Sequence, residues 1–397
     1  MTSSRVSARV SRATAVLVVA AFVFPLSGPV PTAQADMVRV DLPSATVRLH
    51  FSDPPKSGVG DSAAVDQLIR LVGQADRGAT VRIAFHLLTI DEVTKAIVAA
   101  KNRGVTVRVL HDGSQKTSER WAVTQLTSKL GSNHKWCDHG KSSCISGHDS
   151  GLMHAKYMLI DKLTDSGGVA HQDVTWFSSA NMTVPSGTRT FNNTVTVYDD
   201  SDLYGDVYRE VWTPMWDEGR THDYGVDYYD YATGTGYFHS SQTNFHGFVS
   251  PEQQTDPVKD MLFKVDAGPD CFIRVMQAQF TDGRQGIAGR LATLKADGCS
   301  ITVAANRIDP GVCKALGDVN IPVKKNSRIH DKVIMINARY AGSSTPKQMV
   351  LAGSHNLTAP ALRENDELLI RMNNAKIHKA YYVHYRKAYD SGAPGCG

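Results

Sequence analysis

One four-part motif occurs twice in this chain, and that repetition limits what it can fold into. His154, Lys156 and Asp161 in HAKYMLID return as His330, Lys332 and Asn337 in HDKVIMIN. Each copy is followed by a turn of small residues that ends in asparagine, SSAN at Asn181 and GSHN at Asn356. On a strand, residues two apart face the same side, so His154 and Lys156 share a face that Met158 and Ile160 continue toward the interior. His330, Lys332, Ile334 and Ile336 repeat the arrangement. A histidine, a lysine and an asparagine delivered twice are the parts that phosphodiester cleavage needs: a nucleophile, a proton donor, and charged or hydrogen-bonding groups around one phosphate.

The repetition extends beyond the motifs. In the first half, a strand from Val81 (VRIAF) leads to a helix opening at Asp91, with Val93, Ala96, Ile97 and Ala100 inward; Gly104 stops it and VTVRVL follows. In the second half, FIRVM from Phe272 leads to a helix carrying Ile287, Leu291 and Leu294, stopped by Gly298 and followed by ITVAA. Strand, helix, strand implies a right-handed crossover and parallel pairing. Asn192 to Asp217 also aligns without a gap to Asn365 to Asp390, which sets Thr194 against Glu367 and matches Tyr208, Trp212 and Trp216 to Tyr381, Tyr385 and Tyr389. The expected use of that aromatic stripe is core packing. The fold class is therefore α/β and duplicated, with a first domain over 36–220, a connecting loop over 221–250 rich in Tyr, Gly, His and Ser, and a second domain over 251–397.

The chain opens with Arg5, Arg9 and Arg12 before an apolar run from Ala13 to Phe24, and Ala33-Gln34-Ala35 offers a small-x-small cleavage site. This predicts a signal peptide over 1–35, cleaved before Asp36, and a secreted mature protein. No second apolar stretch has membrane length. Because that segment holds three arginines and no acid, its removal takes the formal net charge from +4 to +1. Such a chain lacks the cationic excess that gives nonspecific grip on nucleic acid.

Six cysteines in an exported chain favour disulfides. Cys137 and Cys144 can staple one loop, while Cys271 and Cys299 each open a predicted strand and can bridge neighbours, leaving Cys313 with Cys396. A zinc cluster of His134, Cys137, His139, Cys144 and His148 is the competing reading of the first loop, but its spacing matches no familiar finger.

At these residues the chain resembles the phospholipase D superfamily, whose signature is H-x-K-x4-D followed by G-S-x-N, and in particular its secreted bacterial members. His154, Lys156, Asp161 and Asn181 fit with Ser178 in place of glycine; His330, Lys332, Gly353, Ser354 and Asn356 fit with Asn337 in place of aspartate. The resemblance implies a duplicated α-β-α sandwich, two similar domains around a pseudo-twofold axis whose motif copies meet in one site. It implies His154 as nucleophile, His330 as general acid, and Lys156, Lys332, Asn181 and Asn356 around the phosphate oxygens, with Ser179 and Ser354 assisting at the substrate. Glu367 stands where relatives often place a carboxylate that orients a catalytic imidazole. Asp161 and Asn337 are expected to give structural support. No cofactor or metal is implied, since the two lysines supply the positive charge.

The activity implied is a phospholipase D-type hydrolysis of a phospholipid to phosphatidic acid and free head group, with transfer to an alcohol open to the same intermediate, by a monomer acting at a membrane surface. A secreted nuclease and a catalytically inactive binding protein are the alternatives.

Overall fold

The computed structural model describes residues 1, 37–54, 60–217 and 236–396. The segment read as a signal peptide, Met1 apart, and the stretch 218–235 lie outside the described residues, as do Tyr224, Tyr228, Tyr229 and Tyr231.

The first half contains β1 (Met37–Asp41), β2 (Thr46–Ser52), α1 (Ala63–Gln74), β3 (Thr80–Phe85), α2 (Asp91–Asn102), β4 (Thr106–Asp112), α3 (Trp121–Leu130), β5 (His134–Cys137), β6 (Tyr157–Thr164), β7 (Ala170–Ser178), β8 (Asn192–Tyr198), α4 (Ser201–Val207) and α5 (Thr213–Trp216). The second contains β9 (Tyr237–His239), β10 (Phe245–Ser250), α6 (Pro257–Phe263), β11 (Val265–Asp266), β12 (Phe272–Phe280), α7 (Gln285–Ala296), β13 (Ser300–Ile308), α8 (Pro310–Gly317), β14 (Val323–Lys325), β15 (Lys332–Tyr340), β16 (Lys347–Gly353), α9 (Ala359–Arg363), β17 (Glu367–Asn373), α10 (Ala375–Asp390) and β18 (Ala393–Pro394).

Two sheets result, ordered β1-β2-β8-β7-β6-β3-β4-β5 and β9-β10-β17-β16-β15-β12-β13-β14-β18. The same order appears in both, so the duplication is architectural. As expected from the strand-helix-strand pattern, β3 pairs β4 in parallel and β12 pairs β13 in parallel. The motif strands β6 and β15 are central, each paired antiparallel on both sides.

Burial follows the period-2 pattern. Met158 and Ile160 pack with α1–α3 residues such as Leu68 and Ile97 in one core, and Ile334 and Ile336 pack with Leu291 and Leu316 in another. The alternate positions Tyr157, Leu159, Val333 and Met335 enter a third core shared by both halves, together with α10. Each fully buried aliphatic there contributes about 1.5–3 kcal/mol. Trp212, Tyr381 and Tyr385 are buried, as the packing reading of the aromatic stripe requires, while Tyr208 is half exposed. The first of the two matching helices passes through a π-helical turn over Tyr208–Trp212 between α4 and α5, with Pro214 in the first turn of α5, whereas α10 has no proline and runs 16 residues.

The second half starts earlier than the sequence suggested. Residues 237–250, read as part of the connecting loop, form the hairpin β9–β10, which pairs with β17 as the hairpin β1–β2 pairs with β8. Gly247 disguised the strand. It lies against the Phe238 ring, where an added Cβ would come within 1.8 Å of a ring carbon, so a glycine is required in mid-strand. The aromatics Phe238 and Phe245 are buried in the shared core.

All three disulfides are those expected: Cys137–Cys144, Cys271–Cys299 and Cys313–Cys396. The zinc reading of the first loop fails on the same evidence, and among the described residues no cluster of metal ligands occurs. No helix of the described residues is long and apolar enough to cross a membrane.

Candidate functional site

Both motif copies enter the site from equivalent positions, and each is anchored by the other half. The backbone N–H groups of His154 and Ala155 donate to Asp366 O at 3.0 and 2.9 Å, and His330 N donates to Phe191 O at 3.1 Å. These contacts fix the register of the repeat. Ser179 N bonds Asn193 O and Ser354 N bonds Leu368 O, so Asn193 corresponds to Leu368 and Asn192 to Glu367. Thr194 is therefore not the counterpart of Glu367. The gapless alignment slipped by two residues, and a slip of two keeps every side chain on its own face, so the hydrophobic pattern gives no warning.

That correction sets two unlike residues in one role. Glu367 is buried and its carboxylate accepts from His154 Nδ1 at 2.8 Å, while Ser354 donates its hydroxyl to the same carboxylate. On the other side, Asn192 Oδ1 lies 3.1 Å from His330 Nδ1 and accepts from Ser179 Oγ at 3.0 Å. The two serines, expected at the substrate, thus spend their hydroxyls holding the groups behind the histidines. Asn192 is itself oriented, since its amide donates to Ser186 O at 2.6 Å and Thr190 O at 3.1 Å.

Lys156 and Lys332 are buried, and each donates back to the carbonyl of the histidine two residues before it. Lys332 Nζ also lies 3.2 Å from His330 Nδ1 and donates to Ser179 O at 3.3 Å. Burial pulls Lys332 down to about 8, opposed by the Asp331 and Glu367 charges. Burial also drives His154 and His330 well below the ordinary imidazole range, reinforced by the nearby lysine charges. Both imidazoles are neutral near pH 7, which leaves Nε2 of His154 a free lone pair opposite its bond to Glu367. Burial raises Glu367, with Lys156 opposing.

Asn181 and Asn356 each leave a buried amide oxygen without a partner among the described residues. Asn356 and His154 line a cavity of about 560 Å³ with His86, Gln279, Thr281, Arg307 and Asp309. Asp161 Oδ1 accepts from Thr80 N at 2.8 Å, tying β6 to the start of β3; its counterpart Asn337 stands opposite Phe272 and Gln348 in the sheet.

Sequence reasoning missed several neighbours. The His86 ring meets that of His154 edge-on, centroids 4.8 Å apart. His355, the variable residue of GSHN, is buried beside Glu367 and pushed down to about 3 by burial. Asp366 caps the Cys137–Cys144 loop by accepting from Ile145 N at 3.1 Å and Ser146 N at 2.8 Å. A histidine directly after the VRIAF strand was the one visible hint.

Gly353 begins the intact turn, and a Cβ there would fall 2.1 Å from Leu368 O. Ser178 takes the equivalent place by donating its hydroxyl to Asn193 O at 2.9 Å. Gly353→Ala is accordingly expected to lower stability by about 1–3 kcal/mol, read as a lower urea midpoint; an unchanged midpoint would refute the close approach.

The chain matches the sequence profile of the family described as "Cardiolipin synthase, PLD-like domain" over residues 68–213 and 273–388. No curated protein sequence matches it. Among solved structures it is similar to phosphatidylserine synthase from Haemophilus influenzae, with 11% identity, a TM-score of 0.58, and coverage of 90% of this chain and 89% of that one. It is also similar to polyphosphate kinase from Porphyromonas gingivalis, with 14% identity, a TM-score of 0.56 and 86% of this chain covered, although it spans only 50% of that enzyme. At these identities the likeness is one of fold. With the profile covering well over half of the sequence and the repeat visible in both sheets, the chain belongs to the phospholipase D-like family.

Proposed function

We propose that this chain is a secreted phosphodiesterase of phospholipase D type that hydrolyses a phospholipid to phosphatidic acid and free head group. One observation carries the reading: two imidazoles, the buried His154 and the part-buried His330, each held at Nδ1 by a residue of the opposite half, stand beside two buried lysines. His154 Nε2 attacks phosphorus and forms the N–P bond as the P–O bond to the head group breaks. His330 gives its proton to the departing oxygen. The anionic phosphodiester favours that proton, offsetting the burial that otherwise keeps His330 neutral. Water, or another alcohol, then loses a proton to His330 and displaces His154 from phosphorus. Lys156, Lys332, Asn181 and Asn356 stabilise the charge on the non-bridging oxygens.

A phospholipid is favoured over nucleic acid because the mature chain carries little net positive charge. The three disulfides suit an exported protein. Mature protein mixed with phosphatidylcholine or phosphatidylglycerol vesicles is expected to release head group at a rate indifferent to a metal chelator. Cleavage of DNA but of no lipid would transfer the reading to a nuclease, and inertness on every phosphodiester would leave a binding protein.

A further inference from the structure

Behind the His330 side of the site runs a line of buried charged groups that the first half does not repeat. His384, in the middle of α10, is 1% exposed and meets a carboxylate at each ring nitrogen. Its Nε2 lies 2.7 Å from Asp331 Oδ2, and its Nδ1 bonds Asp53. Asp53 comes from the first half, directly after β2, and also accepts from Lys387 Nζ at 2.6 Å. The other oxygen of Asp331 accepts from the Asn193 amide and shares with Asn192 Oδ1 the single hydroxyl proton of Ser179, whose Oγ lies 3.2 Å away, while Tyr381 donates to Asn193 Oδ1 at 2.9 Å. In the first copy of the motif Ala155 stands where Asp331 stands.

An imidazole that donates from both nitrogens is the cation. Burial opposes that charge, but Asp331 and Asp53 outweigh it and hold His384 protonated up to about 9. A buried carboxylate without a charged partner is costly, and His384 gives Asp331 that partner. The groups bearing on the Lys332 ammonium are His330 and Asp331 on its own segment, Lys156 and His154 from the first motif, and Glu367 from β17.

We propose that His384 is a positioning residue: by holding Asp331 against Ser179, whose hydroxyl also reaches the Asn192 amide behind His330, it supplies on the His330 side the negative charge that Glu367 supplies directly to His154 and that Asn192 lacks. The inference rests on the phosphodiesterase reading for its purpose, but its test does not depend on turnover. The side-chain ¹⁵N resonance of Lys332, assigned by its loss in Lys332→Arg, is followed against pH. In the native protein it is expected to titrate near pH 8. In His384→Gln and in Asp331→Asn it is expected to titrate about one pH unit lower, with no further shift in the double variant. The alkaline limb of kcat/KM on bis(p-nitrophenyl) phosphate moves with it. Asp53→Asn, at the outer end of the array, shifts both readouts less and serves if His384→Gln does not fold. A Lys332 titration unmoved in all three variants overturns the proposal and leaves the array a structural clamp, whatever happens to Tm. A shifted resonance in a protein that cleaves no phosphodiester supports it and defeats the activity instead.

Discussion

Given bis(p-nitrophenyl) phosphate, whose leaving group needs no proton, His330→Asn is expected to release p-nitrophenolate once and stall as a covalent phosphohistidine, whereas His154→Ala forms no adduct. The two imidazoles differ in what lies behind them. His154 has Nδ1 fixed by a carboxylate at 2.8 Å, which directs Nε2 at the phosphate and stabilises positive charge on the ring as the N–P bond forms. His330 has no carboxylate at its ring but the amide oxygen of Asn192 at 3.1 Å and the Ser186 hydroxyl at 3.3 Å, and the Lys332 ammonium lies 3.2 Å away. A ring so placed is a better proton carrier than nucleophile. Steady-state turnover falls by about 10³-fold or more in either variant. Rapid quench with labelled substrate, followed by intact mass, distinguishes them. An adduct that persists in His154→Ala would exchange the two roles.

Glu367→Gln is expected to lower kcat by about 10²–10⁴-fold with little change in KM, since the amide keeps the shape but loses the charge that steadies the developing imidazolium. Glu367→Ala goes further. It leaves Ser354 and His154 without their acceptor and Lys156 without its counter-charge in a fully buried place. Breaking such a buried pair costs about 3–5 kcal/mol, visible as a large loss of Tm. A Glu367→Gln variant that kept a tenth or more of native kcat would remove Glu367 from the mechanism.

The residues proposed to react were legible in the sequence because phosphodiester chemistry needs particular side chains at a spacing that strand geometry dictates. His154 with Lys156 and His330 with Lys332 lie two apart at the entries to β6 and β15, whose apolar residues alternate cleanly into separate cores. The hairpin β9–β10 was hidden for the opposite reason. Its glycine answers to the ring of Phe238 across the ladder, a contact between residues that no local pattern relates. The two serines were misplaced likewise, because a hydroxyl near a phosphate site can turn toward the substrate or toward the support, and its neighbours decide. Here Asn192 and Glu367 offer acceptors that are already buried and in need of donors.

By itself the sequence determined the duplication and the parallel strand-helix-strand units and singled out the four residues proposed to carry the reaction, since each depends on periodicity or on side-chain identity within a short span; which cysteines pair was settled only by the fold. Only the tertiary structure decided which residue stands behind each histidine. That depends on backbone pairing across the two halves, where a slip of two residues exchanges Thr194 for Asn192 while leaving the apolar pattern unchanged. It also brought Asp53, Asp331 and His384 together from three distant segments. Charges so far apart in the chain acquire a common purpose only when folding removes the water between them.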